Sequence, residues 1–172
     1  GQRIGQHRGG YDPFSFDITP YLKKNTNQLQ VCAWDATEGQ SQAIGKQIMP
    51  ENRKGFRYQP TGGIWRTVWL EPVPENSIKS LKIIPEFDKS SVRINASVSG
   101  STGTIIAQVW EDGKMISENS GSIGSDIEVG MPGFKAWSPS IPVLYDLKVL
   151  IKDGETGQDE VKSYFGMRKI EV

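Results

Sequence analysis

The chain has 172 residues, enough for one large β domain or two small ones and too few for a (β/α)₈ barrel, so a whole barrel hydrolase is excluded. Twenty Lys and Arg balance 20 Asp and Glu to a net charge of 0, which offers no polycationic surface to nucleic acid or to an anionic membrane. One cysteine, Cys32, cannot close an internal disulfide, and one histidine, His7, leaves no partner for a Cys/His zinc site.

With 19 Gly and 10 Pro, the chain shows period-two alternation in short blocks and almost no helical periodicity, so it reads as all-β. In chain order, Gly9-Gly10 before Tyr11 suits a backbone turning with positive φ, after which Phe14 and Phe16 are expected to bury. Asp17-Ile18-Thr19-Pro20 reads as a single turn capped by a side-chain oxygen. Leu29, Val31 and Ala33 alternate with polar neighbours as a strand, and Ile64 to Leu70 forms a second one carrying Trp65 and Trp69 into packing. Between them, Asp35 to Gly63 is a long loop ending in a Pro-Thr-Gly-Gly turn, the kind of segment that carries function. Asp12, Asp17 and Asp35 read as turn residues, and Cys32 is expected to pack beside Trp34.

Pro72 and Pro74 cannot donate to a ladder and mark a border, giving domains at 1–73 and 74–172. Strands follow at Ile78–Ile84, Val92–Val98, Thr104–Trp110, Ile123–Val129, Tyr145–Ile151 and Val161–Met167, with a Glu111-Asp112-Gly113-Lys114 turn. About seven short strands in roughly 100 residues is the pattern of a disulfide-free immunoglobulin-like sandwich. Glu111-Asp112 and Asp159-Glu160 read as solvated loop charges. There is no 18-residue apolar run and no visible leader, and a chain opening at Gly1 reads as cut from something longer. Gly39–Lys46 mimics a phosphate loop but lacks the spacing and the following Ser or Thr, while Asn95-Ala96-Ser97 fits a glycosylation acceptor on the outward side of a strand. A turn-side hydrogen bond suits His7 better than a metal.

Three stretches together resemble glycoside hydrolase family 2, the β-galactosidase, β-glucuronidase and β-mannosidase family. They are Gly5-Gln6-His7-Arg8-Gly9-Gly10-Tyr11-Asp12-Pro13-Phe14-Ser15-Phe16-Asp17-Ile18-Thr19, continuing to Asn27-Gln28-Leu29-Gln30-Val31; Thr61-Gly62-Gly63-Ile64-Trp65-Arg66-Thr67-Val68-Trp69-Leu70-Glu71-Pro72; and Trp137-Ser138 with Pro142, Leu144-Tyr145 and Phe165-Gly166-Met167-Arg168. The resemblance implies a partial jelly-roll sandwich, the C-terminal part of a sugar-binding domain, over 1–73, followed by an immunoglobulin-like β-sandwich over 74–172. It implies a fragment whose first domain lacks its earlier strands and whose partner is a downstream catalytic barrel of the same polypeptide.

Retaining glycosidases work with two carboxylates about 5–5.5 Å apart. The family carries them on the barrel, the acid/base within an Asn-Glu pair, and that dipeptide is absent here. The resemblance therefore implies no catalytic residue, no metal and no cofactor in this chain, inactivity on its own, and a parent retaining β-glycosidase of β-galactosidase type.

In β-galactosidase-like and β-glucuronidase-like members a jelly-roll loop offers a carboxylate to the sugar, seven residues before the Ile of the closing strand. Counting back from Ile64 gives Arg57, so that contact does not carry over. The loop instead presents Lys46, Gln47, Arg57, Tyr58 and Gln59 as polar groups, with Phe56 and Trp65 available for stacking on a pyranose. Lys46, Gln47, Arg57, Tyr58 and Trp65 are the expected substrate-binding residues. Two other functional classes compete: a free-standing carbohydrate-binding or adhesive β-sandwich module, and an autonomous small hydrolase, for which no carboxylate pair or Ser/His/Asp set is visible. The Phe165–Ile170 terminus, which in the family feeds the barrel, favours the first reading over both. Periplasmic or secreted bacterial location is the leading expectation, and a homo-oligomer stays open.

Overall fold

The computed structural model describes residues 1–171 apart from 38, 53, 154 and 155; Val172 and, within the long loop, Glu38 and Arg53 lie outside the described residues. The chain divides into two compact units, Gly1–Trp69 and Leu70–Val172.

Among its described residues the second unit is a sandwich of seven antiparallel strands: β1 Ile78–Glu86, β2 Ser91–Val98, β3 Thr104–Glu111, β4 Lys114–Ser122, β5 Ile127–Gly130, β6 Tyr145–Asp153 and β7 Thr156–Phe165. One sheet runs β1-β2-β5 and the other β4-β3-β6-β7. Alternation decides which face each residue takes. On β2, Val92, Ile94 and Ala96 are buried while Asn95 is exposed; on β6, Tyr145, Leu147, Val149 and Ile151 are buried while Asp146 is exposed. At the centre of the larger sheet, Ile105, Ala107 and Val109 of β3 sit opposite Ile151, Val149 and Leu147 of β6. Ile127, Val129 and Met131 from the facing sheet complete the same core.

Two buried polar groups of this unit are tied to the backbone, whereas Asn76 Oδ1 and Trp110 Nε1 find no hydrogen-bond partner among the described residues. The Tyr145 hydroxyl, at the end of a 1% exposed side chain, accepts the Lys135 backbone N–H at 2.8 Å. Ser77 is closed by Ser99, whose Oγ accepts the Ser77 N–H at 2.9 Å and donates to the Glu75 carbonyl at 2.6 Å. Asp112 and Gly113, at φ 50° and 77°, make the two-residue hairpin between β3 and β4.

Three details differ from the sequence reading. β4, Lys-Met-Ile-Ser-Glu-Asn-Ser-Gly-Ser, is a full edge strand that the alternation did not announce, because an edge strand with mostly polar residues has little apolar period. The expected Ile123–Val129 strand is shorter: Ser125 N–H and Oγ both bond the Ser122 carbonyl in a turn, and pairing starts at Ile127. Asp159 and Glu160 are strand residues of β7 rather than loop charges. Asp159 Oδ2 accepts the Ile78 N–H at 2.8 Å across the two sheets, and Glu160 pairs with Lys148 at 2.9 Å. Glu111 likewise ion-pairs, with Lys135 at 2.8 Å.

The first unit contains no strand ladder among the described residues. Its regular features are single 3₁₀ turns at Thr19–Tyr21 and Pro50–Asn52 and an isolated bridge between Gln47 and Tyr58. Gly9 has φ 104°, and the Asp17 carboxylate accepts the Thr19 N–H at 2.9 Å to open the first turn, both as the residue types require. Gly5 allows close approach, since a Cβ there would lie 2.2 Å from the Phe16 ring.

The segments 29–33 and 64–70 are not helical, and among the described residues they lack the cross-strand partner that makes a strand. Burial fails with it: Leu29 is 61% and Val31 56% exposed, and Phe14, Phe16, Trp65 and Trp69 are exposed as well, contrary to their expected packing. Cys32 is exposed beside the Gln30 amide at 3.8 Å rather than packed on Trp34. His7 stacks on Phe14 with ring centroids 4.5 Å apart, and its Nε2 finds no hydrogen-bond partner among the described residues.

Leu147→Ala, a buried residue of the β3–β6 pairing, is expected to destabilise the second unit by about 2–5 kcal/mol in denaturant unfolding, against under about 0.5 kcal/mol for exposed Lys82→Ala. Acid sensitivity has a named source. The Asn95 amide and the Arg93 guanidinium hold the Asp126 carboxyl below its ordinary range, and Lys89 first, then Arg93, does the same for Glu86. Both pKa values are depressed on folding, so their stabilisation is present above the unfolded values of about 3.9 and 4.3 and is lost as pH falls through the folded ones. Arg93→Ala should flatten the acid limb of a stability–pH profile while leaving the neutral limb parallel to wild type.

Candidate functional site

The long loop of the first unit is organised by backbone pairing at one point and side-chain caps at two. At the parallel bridge, the Tyr58 N–H donates to the Lys46 carbonyl at 2.9 Å and the Ile48 N–H donates to the Tyr58 carbonyl at 3.1 Å. Gln47 and Tyr58 are thus held side by side. The Gln47 side chain then turns inward on the loop: its Oε1 accepts the Thr61 N–H at 2.6 Å, fixing the Pro60-Thr61-Gly62-Gly63 turn, which Gly63 completes at φ 108°.

At the start of the loop Asp35 plays the corresponding part. Its Oδ1 accepts the Thr37 N–H at 2.8 Å and the Gln42 amide at 2.6 Å, and these bonds, the backbone one foremost, hold its carboxyl below the ordinary range. Gly62 lies against it, since a Cβ there would be 3.8 Å from the Asp35 Cβ. A pocket of about 10 Å³, room for one water, is lined by Asp35, Thr37, Gln42 and Gln47 among others.

The five residues singled out by sequence therefore separate. Lys46, Gln47 and Tyr58 meet at the bridge, and Arg57 is one register position away. Lys46, Arg57 and Tyr58 are exposed, whereas Gln47 is half-buried and occupied with Thr61. Trp65 is engaged elsewhere: its indole N–H donates to the Gly10 carbonyl at 2.6 Å, and the Arg66 guanidinium lies 4.6 Å over its ring. That leaves Trp65 tying the Gly9-Gly10 turn to the end of the unit. Asp35 was legible as a turn residue and Thr61 as part of the Pro-Thr-Gly-Gly turn; Gln42, which donates to Asp35, carried no sequence signal.

The second unit carries a shallow groove of about 380 Å³ between the Pro85–Lys89 turn and the Arg168–Ile170 segment. Its charges neutralise one another: Lys169 pairs with Asp88 at 2.8 Å and Lys89 with Glu86 at 3.1 Å. Arg168 sits 5.2 Å over the Trp137 ring, and the Trp137 N–H bonds the Met167 carbonyl at 2.8 Å. No group of three His, Cys, Asp or Glu side chains able to hold a metal occurs among the described residues, and none of the described helices is long and apolar enough to cross a membrane.

Seven antiparallel strands in two sheets, among the described residues, preceded by a loop-rich unit whose polar groups cap its own turns, define an all-β sandwich module. Comparison supplies the family. The family model for glycosyl hydrolases family 2 matches residues 76–168. A β-galactosidase of Thermoanaerobacter pseudethanolicus is 31% identical over 188 aligned residues, covering 99% of this chain and 24% of that protein. A β-galactosidase large subunit of Latilactobacillus sakei is 30% identical over 100% of this chain and 27% of its own length, and a putative β-glucuronidase of Formosa agariphila is 26% identical over 99% and 21%. The solved β-glucuronidase of Ruminococcus gnavus is similar over 57% of this chain and 17% of its own, at 23% identity and a TM-score of 0.47. The chain belongs to glycoside hydrolase family 2, and it spans about a quarter of the length of the curated relatives named here.

Gln47→Ala removes the acceptor of the Thr61 N–H. Hydrogen exchange at the Thr61 amide should accelerate by at least about tenfold, the equivalent of one lost hydrogen bond, while exchange in the β2, β3 and β6 core stays unchanged.

Proposed function

We propose that these 172 residues are the non-catalytic, N-terminal-type region of a retaining β-glycosidase of β-galactosidase type. They scaffold a catalytic (β/α)₈ barrel supplied by the same polypeptide and rim its active site. The observation that carries this reading is one of proportion: relatives bearing β-galactosidase and β-glucuronidase names align with nearly all of this chain and with only 16–27% of their own length.

Two structural features support it. First, several carboxylates are already committed to structure: Asp35 caps a turn, Glu86 and Asp126 pair with Arg93, Glu160 with Lys148, and Asp159 bonds a backbone N–H. A glycosidase acid or nucleophile needs a facing carboxyl and a site that tunes its pKa, not a turn cap or an ion pair. Second, the first unit leaves large apolar side chains such as Leu29, Val31 and Trp69 exposed, a surface suited to a covering layer of protein. In this reading residues 1–73 are the sugar-binding jelly-roll part and 74–172 the immunoglobulin-like spacer. Lys46, Arg57 and Tyr58 form the saccharide-facing rim, Gln47 holds their loop in place, and Trp65 anchors Gly10.

Chromogenic β-galactoside, β-glucuronide and β-mannoside distinguish this reading from its competitors. The purified 172-residue chain is expected to turn over none of them, and the protein at its natural length to cleave the β-galactoside best. Turnover by the isolated chain, or none by the natural-length protein, overturns the proposal.

A further inference from the structure

We propose that Asp159 and Asn119 are two side-chain latches that close the open seams of the sandwich and keep its edge strands from pairing with a second copy of the chain. The inference rests on the second unit alone and is independent of the glycosidase reading.

Two open sheets have four edge strands, here β1 and β5 in one sheet and β4 and β7 in the other. Each edge carries backbone N–H and C=O groups that its own ladder does not use, a template on which another strand can add. The edges lie against each other in pairs, β1 along β7 and β5 along β4, yet no ladder joins either pair among the described residues. Side chains are left to close the seams.

One latch spans each seam. Asp159 on β7 reaches β1, its Oδ2 accepting the Ile78 N–H at 2.8 Å while its Oδ1 accepts the Glu160 N–H at 2.9 Å. Asn119 on β4 reaches β5, its Nδ2 donating to the Glu128 carbonyl at 2.7 Å while its Oδ1 accepts the Ser120 N–H at 2.8 Å. The two are built alike. One oxygen is held by the N–H of the following residue, which fixes the fork, and the other atom of the fork crosses to the facing sheet.

Residue type follows from what each fork meets. Asp159 faces two N–H donors, which a carboxylate can satisfy with both oxygens and an amide cannot; Asn119 faces one donor and one acceptor, which an amide can satisfy and a carboxylate cannot. The backbone is shaped to the same end. The β6–β7 register shifts beside Asp159 and the β1–β2 register shifts beside Ile78, so an irregularity on each strand meets at the first latch, and a bulge re-aims a side chain. At the second seam Gly121 lets β4 come close, since a Cβ there would lie 2.8 Å from Ser125 Oγ and 3.3 Å from the Ile127 side chain. A net charge of 0 gives two copies no long-range repulsion, so protection of the edges has to be local.

Near-isosteric exchanges in the 172-residue chain test the latches. In Asp159→Leu, which accepts neither N–H, hydrogen exchange at the Ile78 amide should accelerate by about tenfold or more while amides of the β3 and β6 core keep their wild-type rates. Asp159→Asn should free one of the Ile78 and Glu160 amides and leave the other protected. Asn119→Asp keeps the Ser120 bond and loses the crossing one, and Asn119→Leu loses both without adding charge. In sedimentation over a concentration series, Asp159→Leu and both Asn119 variants should gain mass beyond wild type. Leu147→Ala, less stable but with both latches intact, should gain less than they do, and exposed Asp146→Asn should match wild type. Asn119 is exposed at a sheet edge, so its variants keep the fold and carry the sedimentation test by themselves where Asp159→Leu does not fold. Unchanged Ile78 exchange in a folded Asp159→Leu chain, equal acceleration of seam and core, or self-association of the Asn119 variants no greater than that of Leu147→Ala overturns the proposal.

Discussion

The second unit depends on the direct opposition of β3 and β6. Ile105, Ala107 and Val109 face Ile151, Val149 and Leu147 across one antiparallel ladder, and all six are essentially dry. Burial of this kind is worth roughly 1.5–3 kcal/mol for each Val, Leu or Ile, so the central pair supplies much of what holds the two sheets together. A one-residue slip would turn the whole set outward and bring Lys148 and Lys152 inward. The register is therefore enforced by hydrophobic burial, and the outer strands inherit it.

The C-terminal segment is drawn into the same arrangement. Phe165 and Met167 enter the core, Gly166 leaves room for Trp137, whose side chain a Cβ there would meet at 3.3 Å, and Lys169 is held by Asp88. The chain thus leaves the sandwich along a fixed line, clamped by a backbone hydrogen bond, a cation–π contact and an ion pair within four residues. A loosely tethered exit would need none of these.

How much of this could be read from sequence follows from whether the determining interaction is local. β2 and β6 were legible because period-two burial leaves its mark on every second residue, and the Asp112-Gly113 hairpin because positive φ restricts residue type. β4 was not, since Ser117, Asn119 and Gly121 face inward without being large or apolar. In the first unit the same alternation at Leu29 to Ala33 does not yield a strand, because a strand also needs a partner, and partner choice is non-local. Exposure of Phe14, Trp65 and Trp69 has the same origin: an aromatic residue buries only if a second layer is there to receive it.

The candidate site shows the same division at the scale of single side chains. The residue types at 46, 47, 57, 58 and 65 announced a polar loop with aromatic surfaces, but type does not reveal whether a group is free or already engaged. Gln47 and Trp65, which look equivalent to their neighbours in sequence, are occupied by the Thr61 N–H and the Gly10 carbonyl, and so shape the loop. Lys46 and Tyr58 are left facing solvent because the bridge uses only their backbones, and Arg57 beside them is exposed as well. A framework built from backbone and amide hydrogen bonds is indifferent to charge. The side chains free to recognise a ligand are those whose placement is secured by something other than themselves.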